Sequence, residues 1–574
     1  MRKRRTTIVL SPSATLDERI RGLFPPGAIY CCDPEAMGTL VERRMRQMSS
    51  NMRSKPDWIE TINDADTCTS WAAEAKANEL TDVEFKYVLD ELAYYASFHP
   101  PGSNARFSAA DGVWFSDTLI DAETTNRLKS YAAILESVPD RQKDWYPNNR
   151  SRVLNLIDPS LYPLDYTRSK MCRQISASLP SSLEFLNKGE LPGSLDEWCK
   201  AVSDNTDSEP YYYKLAGDKR YGTYYSDRFS WLPAEFCTDD NGAVTIESYI
   251  NNLHPVTHAA LYPIIANVFS KFLPLLEQVV TDLVHPRQSR VKPDPSKYYV
   301  SDEPLPNEDD YEYYEDYDEK FILWKSRATF VHPQPEPFVA PTRPIAPYDL
   351  CGRRLQAVVK MANIELTSKQ PIYGGKDWSV VGMANERIIA TGIFFYDVAN
   401  TAPASMQFRE ALCSWDFTVE QFDIESVAKA YGIEQSQLID GHSISQELGT
   451  IGIKDGLCLV FPNILQYKIP ELKLADKTKP GHCKMLAFYF VDPSTRIPST
   501  EIVPPQQQDW WLGDVLTSEP FCSLPQLVVD GIVSKVDFPM SLREAKKLRP
   551  QVHQDGTSNY DTLDFYEPTS YFSG

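Results

Sequence analysis

His254 and His258 are spaced i, i+4, the spacing that on a helix aims two imidazoles at one metal ion. Pro255 lies between them, so the pair reads as the start of a helix and not as a ligand set. His482 follows Lys479-Pro480-Gly481 and reads as a hydrogen-bonded turn residue. The 11 cysteines are scattered with no C-x-x-C spacing. That pattern reads as reduced thiols, not as a disulfide framework or zinc site. The sequence carries no Ser/His/Asp set, phosphate loop or dinucleotide fingerprint, and Gly374-Gly375 is a turn. Chemistry must therefore be sought in a pocket, and the pocket in the elements that would build it.

From Leu355 onward apolar, β-branched and aromatic residues alternate with period two. Strands are expected over Leu355–Leu366, Trp378–Val381, Ile388–Tyr396, Gln446–Ile453, Leu457–Phe461 and Met485–Val491. Turn residues separate them, and short strands at such spacing suggest a sandwich or jelly roll. The first half reads as mostly helical. Thr81-Asp82-Val83-Glu84 is a capping box opening a helix through Phe98, and Ser194-Leu195-Asp196-Glu197 opens another in the same way. Leu40–Met52 and Ala122–Val138 are further helical stretches, and His258–Val284 is a long core helix with Pro274 expected to kink it. The acidic, Tyr-rich run Asp302–Glu319 reads as a solvated loop, with a proline-spaced segment Pro333–Pro347 after it. A short helix is expected from Ser541. The fold class is α+β, in four parts: residues 1–240 mostly helical, 241–350 the long helix with the acidic and Pro-rich connection, 351–510 the β core and 511–574 a C-terminal extension.

Composition limits the partners. Apolar residues make up 42% and charged residues 24%, an ordinary globular balance. A net charge of −21 repels phosphate backbones, which argues against nucleic acid. The basic start Met1-Arg2-Lys3-Arg4-Arg5 is followed by too few apolar residues for a signal peptide. No uninterrupted apolar run reaches the ~18 residues of a membrane span. The expectation is a cytoplasmic protein that touches neither membrane nor nucleic acid, of unknown oligomeric state.

Several long strings carry a family resemblance. They are Leu355–Thr367, Gly382–Ile393, Phe461–Gln466, Leu474–Asp476 with Thr478–His482, Val491–Pro493 and Val503–Gln507. Lys55–Trp58, Asp158–Leu164 and Ser248–Pro255 extend the match into the first half. On these the chain resembles the fungal domain-of-unknown-function 4246 family, which is itself similar to iron/2-oxoglutarate oxygenases. The resemblance implies a double-stranded β-helix (jelly roll) in the C-terminal half. It also implies a facial triad, H-x-E and a later His, with an Arg gripping the cosubstrate's carboxylate.

At all four of those positions this chain departs from the family. Where the family reads W-H-V-E-G, the chain has Trp378-Ser379-Val380-Val381-Gly382. L-Q-H-R becomes Leu465-Gln466-Tyr467-Lys468, and G-H-R-K becomes Gly481-His482-Cys483-Lys484. Val has no lone pair, Ser is a poor ligand for ferrous iron, and loss of a bidentate Arg costs a cosubstrate roughly 1.5–3 kcal/mol. The expectation is a fold without metal or cofactor. Its pocket would be lined by Asn363, Trp378, Val381 and Cys483, with Tyr467, Ser379, Glu386 and Lys484 as candidate catalytic groups. The partner implied is a small metabolite. The family's place in fungal natural-product pathways points to a non-redox biosynthetic step. The alternatives are a non-catalytic binding protein and a divergent dioxygenase.

Overall fold

A computed structural model describes residues 38–53, 55, 58–97, 106–107, 112–146, 152–172, 198, 226, 228–285, 289–294, 297–340, 348–412, 424–435, 444–517, 519–533, 535 and 539–561. The expected helix start at Ser194–Glu197 lies outside them. Helix α1 is Leu40–Arg53 and α2 is Asp82–Ser97. The capping box ahead of α2 forms as the sequence dictates. The Thr81 N–H donates to Glu84 Oε2 at 2.9 Å, and the Glu84 N–H donates to Thr81 Oγ1 at 3.3 Å. Strand β1 (Trp114–Ser116) precedes α3 (Ala122–Glu136), which starts where Asp121 accepts the Thr124 N–H at 2.7 Å. Strands β2 (Val153–Ile157) and β3 (Ala234–Thr238) follow.

Helix α4 (Tyr262–Val284) continues through Pro274 and buries Ile265, Phe269, Phe272, Leu276 and Val280. Among the described residues, its stretch Ala259–Val284 is the one helix long and apolar enough to cross a membrane, and 56% of its most apolar window is buried inside the protein. The acidic Tyr-rich segment corrects the loop expectation. Tyr314–Arg327 is a helix, because Tyr317, Phe321 and Trp324 fall on one face and stack at 5.9 and 6.1 Å between ring centres.

The long strands come next: β4 (Arg354–Leu366), β5 (Ile388–Ala399), β6 (Ser405–Leu412), β7 (Ile444–Gly452), β8 (Cys458–Pro462), β9 (Gln466–Lys468) and β10 (Gly481–Val491). The final helix, α5, is Leu542–Asp561. Ten strands make one antiparallel sheet. Its path runs Arg106–Phe107, β1, β8, β5, β10, β4, β2 and Asp144–Trp145, with β3 also paired to β4. The first half is therefore not simply helical. Its short strands, two to five residues long, carry too little alternation to read from sequence, yet they complete this sheet. A second sheet, β7–β6–β9, is extended by a single bridge between Ser379 and Tyr467. The expected strand Trp378–Val381 is reduced to that bridge.

Alternation divides the large sheet's side chains between two cores. Ala357, Val359 and Met361 of β4 and Leu486, Phe488 and Phe490 of β10 face the helices. Val358, Ile364, Cys483, Ala487 and Tyr489 face the other way, packing with Met406, Phe408, Leu448 and Ile451 of the small sheet.

Candidate functional site

Ser379 and Tyr467 are direct antiparallel partners. The Ser379 N–H donates to the Tyr467 carbonyl at 3.2 Å, and the Tyr467 N–H donates to the Ser379 carbonyl at 3.0 Å. Directly opposed residues project to the same side, and on β6 the residue opposite Tyr467 is the fully buried Phe408. Ser379 and Tyr467 therefore face the space between the sheets. Val381, two residues on, is 5% exposed in the same core, and Cys483 enters it from β10 opposite Ile364. The four positions converge on one interior from both sheets.

Their chemistry is muted. Burial pushes the Cys483 thiol up to about 12, helped by the charge of Asp397, so it is a neutral thiol at pH 7. Burial also raises the Tyr467 phenol well above its ordinary value, with Tyr489 adding to the rise and Lys360 opposing it. The Ser379 hydroxyl oxygen is buried and makes no hydrogen bond. Together the four offer a hydroxyl, a neutral phenol, a neutral thiol and a hydrocarbon.

The other expected residues lie elsewhere. Trp378 points to the outer side of the small sheet, with the Arg409 guanidinium 4.5 Å from its ring centre and the Lys468 ammonium at 6.0 Å. Asn363 and Lys484 are cross-strand partners on the helix-facing side of the large sheet. Asn363 donates to Glu136 of α3 at 2.8 Å, and Lys484 reaches the same carboxylate at 2.9 Å. Glu386 is 3% exposed and accepts the backbone N–H groups of Trp231 and Met383. Burial raises its carboxyl to about 7 against those two bonds. It fixes the loop that leads into β5. His482 is a strand residue paired with Asp397 at 2.9 Å, not a turn residue.

Sequence reasoning missed the polar groups that do share the interior. Lys360 lies on β4 between the inward-facing Val358 and Ala362, opposite Ala487. Two alanines beside it leave room around its ammonium. Lys376 is solvent-exposed, yet burial lowers its ammonium to about 8 and Lys360 lowers it further. Tyr373 and Tyr489 complete the set. Burial pushes Tyr373 up to about 12, and Tyr489 stacks on Trp231 at 5.4 Å. The one sequence signal was Lys360 itself, a cation in the apolar middle of its strand, between Val359 and Met361.

Helix α5 lies beside this interior. Its Arg549 bonds Asp144 at 2.6 Å and Asp158 at 3.1 Å, and His553 Nδ1 meets the Tyr146 hydroxyl at 3.0 Å. Burial lowers His553 to about 4; the charge of Asp158 opposes this, while Lys360, Arg549 and Lys376 reinforce it. Among the described residues, one cluster of metal-capable atoms stands apart, on the α4 side: Glu277, Asp349 and Cys351, within 4.8 Å of one another. Burial raises Glu277 to about 7 and Cys351 to about 11, and Glu277 accepts the Leu350 N–H, so the group caps a turn.

A family model described as a protein of unknown function (DUF4246) matches residues 82–514. No curated protein matches the chain. Among solved structures, the Fe(II)/(alpha)ketoglutarate-dependent dioxygenase TqaL is 9% identical, with 67% of this chain and 94% of that chain covered and a TM-score of 0.19. IDO from Bacillus thuringiensis is 8% identical at a TM-score of 0.15, with 24% of this chain and 45% of that chain covered. The chain thus matches less than half the length of IDO. Superpositions this loose carry no argument about the site.

Proposed function

Because the chain belongs to the DUF4246 family, whose function is unknown, we propose that it is a member with an oxygenase-type double-stranded β-helix and no working iron site. In this reading it binds a small metabolite between its sheets and guides a non-redox biosynthetic step such as cyclisation or isomerisation. The observation that carries the reading is the convergence of Ser379, Val381, Tyr467 and Cys483 on one interior. Those are the positions to which the resemblance assigns the family's two His, its Glu and its Arg. The side chains present do not fit iron: they include no imidazole and no carboxylate, and the thiol and phenol are held neutral by burial. Nor does Cys483 fit a carboxylate anchor, having neither charge nor a bidentate fork.

What remains suits positioning. Tyr467 is a neutral hydrogen-bond donor at any physiological pH, and Ser379 beside it has an unused hydroxyl. Such groups orient a substrate and stabilise oxyanion character without changing its oxidation state. The test is to load the purified protein anaerobically with Fe(II) and 2-oxoglutarate, admit oxygen, and measure bound iron, oxygen uptake and succinate. The expected result is no stoichiometric iron and no succinate. With a turned-over metabolite in hand, Tyr467→Phe should lower kcat about 10²-fold or more with little effect on folding. Stoichiometric iron with succinate release would overturn the reading.

A further inference from the structure

Two features of the sequence have no part in the site described above: the acidic, Tyr-rich run Asp302–Glu319 and the basic start Arg2-Lys3-Arg4-Arg5. The run holds ten acids and no Lys or Arg, and residues 2–5 are the one stretch of four consecutive cations in the chain. The acids sit on a built element. Helix Tyr314–Arg327 lies against a hairpin of Tyr299–Val300 and Thr329–Phe330. Trp324 fixes it there, its ring 6.4 Å from that of Tyr299 and its indole N–H donating to the Glu303 carbonyl at 2.8 Å. Tyr317, Phe321 and Trp324 take the inner face of the helix. The opposite face carries Glu315, Asp316 and Glu319, all exposed, and then Ile322 and Leu323, which are 65% and 44% exposed. Among the acids of this run whose side chains are described, Glu303 alone forms an ion pair, with Arg327. The described part of the chain starts close by. The Gly38 N–H donates to Gln446 at 3.1 Å, and Arg43 of α1 donates to the Tyr431 carbonyl at 2.6 Å. Tyr431 ends helix Ile424–Tyr431, which packs through Val427 and Ala430 on Tyr298. From the same helix Ser426 bonds the Tyr299 hydroxyl at 2.8 Å, and Glu425 meets Lys325 of the acidic helix at 4.0 Å.

We propose that the chain's own basic head docks on the outer face of helix Tyr314–Arg327, with Arg2–Arg5 against Glu315, Asp316 and Glu319 and with Ile8, Val9 and Leu10 covering Ile322 and Leu323. The head lies outside the described residues, and its sequence matches the face in order and in spacing. On the helix the change from acid to apolar, Glu315 to Leu323, takes about 12 Å. In an extended head the change from cation to apolar, Arg5 to Val9, would take roughly 13 Å. Reach sets no limit: residues 6–37 would span roughly 110 Å at full extension. Four adjacent cations in a chain of net charge −21 are drawn to its densest run of acids. The tether favours this occupant over a free basic partner, because it raises the local concentration of the head at the helix.

The experiment uses the full-length wild-type protein with no tag ahead of Met1. A water-soluble carbodiimide at low salt joins amines to carboxylates in direct contact, and peptide mass spectrometry maps the products. Lys3 should be joined to Glu315, Asp316 or Glu319, with at least tenfold less product in about 1 M salt, where the Debye length falls to roughly 3 Å. An equal mixture of unlabelled and ¹⁵N-labelled protein should show the link within single molecules. A synthetic peptide, Met1–Pro12, gives a second readout by calorimetric titration. It should bind at least tenfold more tightly to the variant carrying Arg2→Glu, Lys3→Glu, Arg4→Glu and Arg5→Glu, whose helix face is vacated, than to wild type. Adding Glu315→Lys and Glu319→Lys to that variant should abolish peptide binding while circular dichroism shows the fold retained. Lys3 joined only to acids elsewhere, or links formed only between differently labelled molecules, would overturn the proposal. So would peptide binding within twofold in wild type and the head variant, which would mean a face open to a basic segment of another chain.

Discussion

Glu386 shows how residue type and residue role part company. By type, Glu386 is an acid–base candidate. By place, it is a buried carboxyl that accepts the Trp231 and Met383 N–H groups and shapes the loop into β5. Its folded value near 7 lies above the ordinary 4.5 because burial penalises the charge. A raised carboxyl binds its proton more tightly in the folded state. Its contribution is therefore fully present below about pH 4.5 and is lost as pH rises through 7. Over that window it accounts for up to roughly 3 kcal/mol. Glu277, also raised to about 7, contributes a parallel slope. Glu386→Gln should flatten about half the decline in stability between pH 4.5 and 7, measured by denaturant titration at several pH values. An unchanged slope would show that the carboxyl stays ionised. That Val381 cannot bind a metal was legible in the sequence, since residue type alone says so. The partners of Glu386 were not, because they depend on a loop whose course no period encodes.

At the scale of elements, legibility followed length. Strands β4, β5 and β10 run 11 to 13 residues, and their alternation was visible because it repeats several times. Strand β9 has three residues and β6 sits among turn residues, so the small sheet that carries Tyr467 was mostly missed. Asn363 and Lys484 were expected in the pocket because they lie on the right strands. A one-residue change of parity put them on the helix side instead. Helix α5 was expected to be short, and it runs 20 residues. Its capping box forms, with the Ser541 N–H donating to Glu544 at 3.0 Å, and Arg549 then ties the helix to Asp144 and Asp158. Arg549 is 4% exposed and Asp158 2%. Removing the guanidinium leaves the buried Asp158 carboxylate without its cation, while Asp144 keeps Lys546, and this costs about 3–5 kcal/mol. Arg549→Met should therefore lower global stability by that order and raise hydrogen exchange in Leu542–Val552 first. Exchange raised equally everywhere would show that α5 does not open separately from the sheet.

At the scale of the whole molecule, the large sheet joins residues 351–510 to strands from the first half. Strand β4 pairs with β10 from within residues 351–510, but also with β2 and β3 from the first half. The helix side of the large sheet is covered by α4, whose Phe269 and Phe272 rings lie 5.2 and 5.7 Å from Phe488. Strand β5 accommodates that contact only because position 392 is glycine. A Cβ there would come within 2.9 Å of the Phe272 ring. A fragment of residues 351–510 would expose Ala357, Val359, Met361, Leu486, Phe488 and Phe490 together, and would leave β4 with an unpaired edge. Burying each large apolar side chain contributes about 1.5–3 kcal/mol, so losing this face removes an amount comparable to the whole 5–15 kcal/mol by which domains are stable. The fragment should be unfolded or aggregated by circular dichroism and size-exclusion chromatography, while the full chain gives one calorimetric transition for its large sheet. A folded, monomeric fragment would instead mean that the space between the sheets alone sustains the β core, and that the helices and first-half strands are cover added to a complete domain.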